Sequence, residues 1–582
     1  MDFSGYQSLN ITLLIISFIV LAIAMIPNTR KTVIRLRSEK YLDQHLPSAS
    51  QKYHFIFVGF LLFIAAAVRI WQIGNIPEGI NQDEAMACIE TNAIANYGTD
   101  RFGMFLPVHF TAWEYGQMSS LLTYLLVPFV KIFGLNPIAI RMPLLIVSLL
   151  SLFVLYKLTK GIWNRNAALF VLAFAAINPW QIMQSRWSID CNLFPHIFLF
   201  AVYFLWLGFR KKGYAYLSMF FFALCMYCYG ISFYTVPVFL IFMCIYILRK
   251  KILNWKQAFL CVGIYFLFAW PIYTMMVLNF FKLPTISTPF FTIPFFPESV
   301  RTNDLLFFSP QPLHQLFFNF KSFVKTILLQ LPDMKWNTLP EFGTLYLFSM
   351  PFTITGFIIT AKRFFFQKEK EKNTAQQYGS ALILMFFAVG VEAGLLTNQI
   401  NVNRINVIFY SLIIFTALGI YEICRKVKLF TIILAAIYII SFGSFSYKYF
   451  TSCYSFFPGF GESLHTAEKY DYDTIYITSH IHADYENAQV SEILTLFHHN
   501  IDAKYLQGVK SITDSEGTPL LPYHERYQYV DFSSFPIDEN KNAVYIVNNE
   551  EVKLFDSESF TIHMFEKYSA VIPKIIQTVP VK

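Results

Sequence analysis

The chain has 582 residues, of which 55% are hydrophobic and 14% charged, against about 25% charged in an ordinary soluble domain. That composition excludes a protein dissolved in water over most of its length. The net charge of +8 comes from Lys and Arg clusters set between apolar runs, as short cytoplasmic loops have, so no nucleic-acid partner is implied.

Apolar runs of about 20 residues, enough to cross roughly 30 Å of hydrocarbon, recur from Asn10 to Phe445. They predict a polytopic α-helical membrane protein of about 12 spans, near 10–27, 54–73, 142–158, 167–184, 193–209, 214–229, 232–248, 257–280, 343–361, 378–397, 405–422 and 429–446. The first run lacks a basic leader and a small-residue cleavage site and is read as a retained span. Basic clusters beginning at Arg30, Lys157, Arg210, Arg249, Lys362 and Arg425 mark the cytoplasmic side. Leu121 to Gly134 is apolar but short and contains Pro128. Counting it as a span would put the later basic clusters outside, so it is expected to lie along the outer membrane surface.

With that choice the outward stretches are the long loop 74–141, the loops 185–192, 281–342 and 398–404, and the tail. Residues 1–450 are thus expected to form a transmembrane domain and 451–582 an extracytoplasmic α/β domain. In the tail, Thr474–Thr478 and Ala543–Val547 read as strands and Val490–His498 as a helix. Six of the eight cysteines lie in or beside apolar segments, and Cys225-x-x-Cys228 reads as packing rather than a redox pair. Cys88 and Cys191, both in outward loops, leave a bridge open.

The richest stretch for chemistry is 68–110. Asp83 and Glu84 follow a Pro77-Glu-Gly79 turn and precede the helix-compatible run Ala85 to Asn96. Asp83 and Glu90, seven apart, share a face of that helix. By position alone, Asp83 is read as its cap. Arg69, at a span end, reads as snorkelling to headgroups; Arg186 and Arg404, in outward loops, allow either snorkelling or anion binding. Glu392 stands inside a span, where a carboxylate is costly, and is read as pairing with Arg404 or bonding to a substrate.

An arginine ending a span, a Pro-x-Gly turn, Asp83-Glu84, Tyr97-Gly-Thr-Asp100, Phe102-Gly, Pro107, the 121–134 segment and Arg141-Met-Pro follow in order, then Asn178-Pro-Trp180 and Ser185-Arg186. This order resembles the C-type glycosyltransferases, and within them the protein O-mannosyltransferase and aminoarabinose transferase group. The likeness covers roughly residues 54 to 250 and weakens to about 446.

The resemblance implies a glycosyltransferase of a bacterial cytoplasmic membrane. It would take a sugar from a polyprenyl-phosphate donor and pass it, on the outer face, to a protein, lipid or envelope-polymer acceptor, with membrane lipids as surroundings. Asp83, with Glu84 beside it, takes the role of general base. Arg186 and Arg404 take the donor phosphate, with Asp190 and Glu392 in support. Some relatives hold a divalent metal, the one cofactor the resemblance admits; Glu114 has the matching place for one ligand, and His314 is the histidine available in the long loop. Met86 stands where the aminoarabinose enzymes carry an arginine, which argues against lipid A chemistry. The rival readings are a glycolipid transporter or flippase, disfavoured because no inverted repeat is visible, and a non-catalytic envelope scaffold.

Overall fold

The computed structural model describes residues 4–25, 48–112, 117–297, 306, 309–366, 374–397, 400–482, 485–486, 488–513 and 517–576. Glu114 and the cluster from Arg30 to Lys40 lie outside them. Two compact units emerge: Met1–Trp71 with Leu144–Trp270 and Arg301–Cys453, and Gln72–Pro143 with Pro271–Val300 and Tyr454–Lys582. This grouping differs from the two-part division expected at residue 450. The loop 74–141 folds with the tail, because its helix Gln82–Tyr97 packs on helix Ala488–His498.

The first unit is helical, and the chain is a multi-pass membrane protein. Among the described residues eight helices are long and apolar enough to cross a bilayer, including Tyr53–Ile70, Asp190–Gly208, Ser232–Arg249, Asn406–Lys426 and Lys428–Ser452. Asn10–Ala24, Arg165–Ala176 and Gly213–Cys225 are apolar but shorter. The span expected at 167–184 is broken in two, Arg165–Ala176 and Pro179–Gln184. Pro179 has no N–H to continue the first helix, and Asn178 caps the second, its side chain accepting from the Gln181 N–H at 3.0 Å. Outward-pointing apolar side chains such as Phe63, Phe259, Ile432 and Ile440 suit contact with lipid.

Helices Met350–Phe366 and Phe409–Lys426 meet through small residues. A Cβ on Gly356 would stand 1.8 Å from the Phe415 carbonyl oxygen, and one on Gly419 2.0 Å from that of Phe352. Between them the Thr353 and Thr416 hydroxyls hydrogen-bond at 2.7 Å. Close backbone approach of this kind replaces the hydrophobic effect as the adhesive between helices in lipid.

In the second unit, a five-stranded sheet runs in the order Phe560–Met564, Tyr568–Pro573, Ala543–Asn548, Thr474–Thr478, Tyr527–Val530. Its first two pairings are antiparallel and the last two parallel. Thr474–Thr478 is buried at every position, as a central parallel strand should be. Tyr476, Phe532, Tyr545, Phe555 and Phe560 form the apolar layer beside it. Helix Leu121–Phe133 also belongs here. At 13 residues it falls short of the roughly 20 a crossing needs, and it packs on helix Gln82–Tyr97, with the Thr91 hydroxyl donating to the Thr123 carbonyl at 3.2 Å.

Gly356→Val is expected to cost about 1–3 kcal/mol by overpacking and to lower the thermal midpoint of the detergent-solubilised protein. Gly59→Val is the control, since a Cβ at Gly59 meets nothing within 4 Å. Equal midpoints would refute the close helix contact.

Candidate active site

The second unit holds the carboxylates singled out from sequence, at the head of helix Gln82–Tyr97. The chain enters through Gly79, whose φ of +73° suits glycine and whose missing Cβ leaves room for the Phe456 carbonyl oxygen, 2.0 Å from where it would stand. Asn81 then caps the helix, its side-chain oxygen accepting from the Asp83 N–H at 2.8 Å. The capping role expected of Asp83 thus belongs to Asn81. Asp83 is the second helical residue and is half-buried, at the positive end of the helix.

Glu84 has a different fate. It is buried and paired with Arg141, whose Nε reaches Oε1 and whose Nη2 reaches Oε2, both at 3.2 Å. The other Arg141 donors meet the carbonyl oxygens of Ile73 at 3.1 Å, Pro77 at 2.9 Å and Gly79 at 2.9 Å. A guanidinium has five N–H donors, and here all are engaged. Glu84, expected beside Asp83 as a catalytic group, ties the helix head to the turn before it.

Farther along the helix, Glu90 is buried against Arg101, accepting from its Nη1 at 2.6 Å and its backbone N–H at 2.9 Å. Burial pushes the Glu90 carboxyl up to about 7, with Arg101 pulling the other way. The shared face with Asp83 predicted for Glu90 is thus spent on an internal ion pair. Asp100 shapes the following turn, its Oδ1 accepting from the N–H groups of Phe102 at 3.0 Å and Met104 at 2.7 Å.

The remaining predicted residues are in the membrane unit. Arg186 is fully buried: its Nη1 donates to the carbonyls of Arg69 at 2.6 Å and Val68 at 3.2 Å, and the rings of Tyr449 and Phe450 flank it. Arg69 is likewise enclosed, donating to the carbonyls of Ala65 and Ala176 at 2.9 Å and to Gln181 Oε1. Neither snorkels; both tie span ends to neighbouring helices. Arg404 is half-buried in the turn before Asn406–Lys426, its N–H bonded to Asn401 Oδ1 at 2.9 Å. Glu392 is half-buried in helix Thr374–Leu395. Asp190 opens helix Asp190–Gly208. His314 is exposed on helix Pro312–Phe323. Among the described residues no group of three His, Cys, Asp or Glu side chains could hold a metal ion. Among the described residues no cysteine is in a disulfide, the bridge left open between Cys88 and Cys191 included.

Known proteins supply the context. The sequence model of the dolichyl-phosphate-mannose-protein mannosyltransferases matches residues 119–274, about a quarter of the chain. The archaeal oligosaccharyltransferase AglB from Archaeoglobus fulgidus, solved with an inhibitory peptide and a dolichol-phosphate, superposes with a TM-score of 0.50 at 15% identity over 77% of this chain. The chain has the C-type glycosyltransferase fold. It spans 64% of that oligosaccharyltransferase's length. The same enzyme tethered to an acceptor peptide gives a TM-score of 0.50 at 16% identity, over 77% of this chain and 63% of the other. ArnT from Cupriavidus metallidurans is aligned over 90% of this chain and 98% of its own, at 11% identity and a TM-score of 0.43. No curated relative matches in sequence.

Sequence reading missed the partners rather than the carboxylates. Asn81 carried a local signal, being a capping-type residue at the start of a helical run. Arg141 stood out only as part of Arg141-Met-Pro, and nothing local links it to Glu84, 57 residues away.

Arg141→Met would strand the buried Glu84 carboxylate and is expected to cost about 3–5 kcal/mol, read as a fall in thermal midpoint. Adding Glu84→Leu should recover much of that loss. An Arg141→Met protein as stable as the parent would contradict the pairing.

Proposed function

We propose that the chain transfers a sugar from a polyprenyl-phosphate donor to an acceptor hydroxyl on the outer face of a bacterial cytoplasmic membrane, with Asp83 as general base. One observation carries the reading. At the head of helix Gln82–Tyr97 the fold spends Asn81 on capping and Glu84 on Arg141, and keeps Asp83 half-exposed at the helix's positive end. The match of residues 119–274 to mannosyltransferases that use a dolichyl-phosphate sugar supports the donor class. So does the dolichol-phosphate in the complex of the oligosaccharyltransferase that shares the fold.

The chemistry is a displacement at the anomeric carbon. The acceptor oxygen bonds to that carbon while its proton passes to the Asp83 carboxylate. The bond to the phosphate oxygen breaks, and the polyprenyl phosphate departs with the electron pair. A positioned base contributes typically 10²- to 10⁴-fold, and the rest comes from alignment and charge stabilisation. A cation must meet the charge growing on the phosphate. Arg186 and Arg404, the arginines singled out from sequence, are the candidates for that role. Glu84 is a positioning residue, acting through Arg141 on the turn that aims Asp83.

Membrane vesicles holding the protein and given a radiolabelled polyprenyl-phosphate sugar provide the test. Asp83→Asn is expected to cut label transfer about 10²- to 10⁴-fold with donor KM little changed, and Arg404→Gln to raise donor KM. Transfer that survives Asp83→Asn excludes the base assignment, and lipid movement across the bilayer without transfer favours a flippase.

A further inference from the structure

We propose that the C-terminal segment is the platform that aims the Asp83 helix, with Tyr97 and Asp502 as its positioning pair. This rests on Asp83 being the base. Helix Gln82–Tyr97 is held by the 454–582 segment at both ends. At its head, Glu78 forms a parallel bridge to Ser455 and accepts from the Phe456 N–H at 2.9 Å. At its foot, the Tyr97 hydroxyl donates to the Asp502 carboxylate, lying 2.9 Å from Oδ1 and 2.7 Å from Oδ2.

Asp502 is a hub. Its Oδ2 accepts from Lys510 Nζ at 2.6 Å, and its Oδ1 accepts from the Lys504 N–H at 2.8 Å, capping the turn Ala503–Leu506. The Lys504 ammonium sits 4.4 Å from the centre of the Tyr97 ring. Two neighbouring bonds join the same segments: Asn92 Nδ2 to Asn500 Oδ1 at 3.1 Å, and Gln507 Nε2 to the Arg101 carbonyl at 3.0 Å. Such bonds depend on direction as well as distance, so they set rotation and register where apolar packing would let the helix slide. Tyr97 lies about 21 Å along the axis from Asp83, at 1.5 Å per residue. It therefore acts through the stiffness of the helix and touches no reacting atom.

The test uses the full chain in vesicles, with Tyr97→Phe, Asp502→Asn, the double variant and Asp502→Glu. Each of the first two is expected to lower kcat about 10-fold, the worth of one charge-assisted hydrogen bond, at unchanged donor and acceptor KM. The double variant should be no worse than the poorer single, and Asp502→Glu should recover part of the rate. Hydrogen exchange should quicken in residues 82–97 while strands Thr474–Thr478 and Ala543–Asn548 stay protected. An unchanged kcat, or a raised acceptor KM at constant kcat as expected of an acceptor-binding module, overturns the proposal. Normal transfer by Asp83→Asn would instead bring down the base assignment, while the exchange result would still report whether the pair fixes the helix.

Discussion

The guanidinium of Arg141 is the constraint on which the candidate site depends. Buried, with all five donors engaged, it holds the Glu84 carboxylate and three carbonyls of the chain entering helix Gln82–Tyr97. A buried ion pair is poor evidence of stability for its own sake, because desolvating two charges offsets much of their attraction. Its value here is geometric. It fixes the angle between the turn at Pro77–Gly79 and the first helical turn, and so the direction in which Asp83 leaves the backbone.

Around that joint the acidic residues divide by burial. Glu84 and Glu90 are enclosed, and each has an arginine. Asp100 organises backbone N–H groups, and Asp83 keeps access to solvent. Several carboxylates within twenty residues thus serve different ends, set by what encloses each one. In the membrane unit the same division applies to cations. Arg69 and Arg186 are absorbed by carbonyls where helices break or end, whereas Arg404 stands half-exposed in a turn.

Much of the fold was legible in the sequence, because apolar runs long enough to cross a bilayer and the alternating strands of the tail are local signals. The strands at Thr474–Thr478 and Ala543–Asn548 and the helix ending at His498 lie where the pattern put them. Hydropathy could not see the break at Asn178-Pro179, since the residues on both sides, Gln181 and Gln184 apart, are apolar. The grouping of loop and tail was hidden for a related reason. Composition changes at the tail, but the partner of the tail is a loop far earlier in sequence, joined to it through bonds such as Tyr97 to Asp502, 405 residues apart. Asp83 stood out at a helix start, and its role as base comes from the resemblance, while the bonds that hold Glu84, Arg69 and Arg186 depend on partners far along the chain.

A structure of the protein with a polyprenyl-phosphate sugar and an acceptor bound would test the central claim most directly. The Asp83 carboxylate is expected within hydrogen-bond reach of the acceptor hydroxyl, about 2.6–3.2 Å, with Glu84 still on Arg141. Another carboxylate at the acceptor hydroxyl, or Glu84 released from Arg141 to reach the sugar, would contradict it.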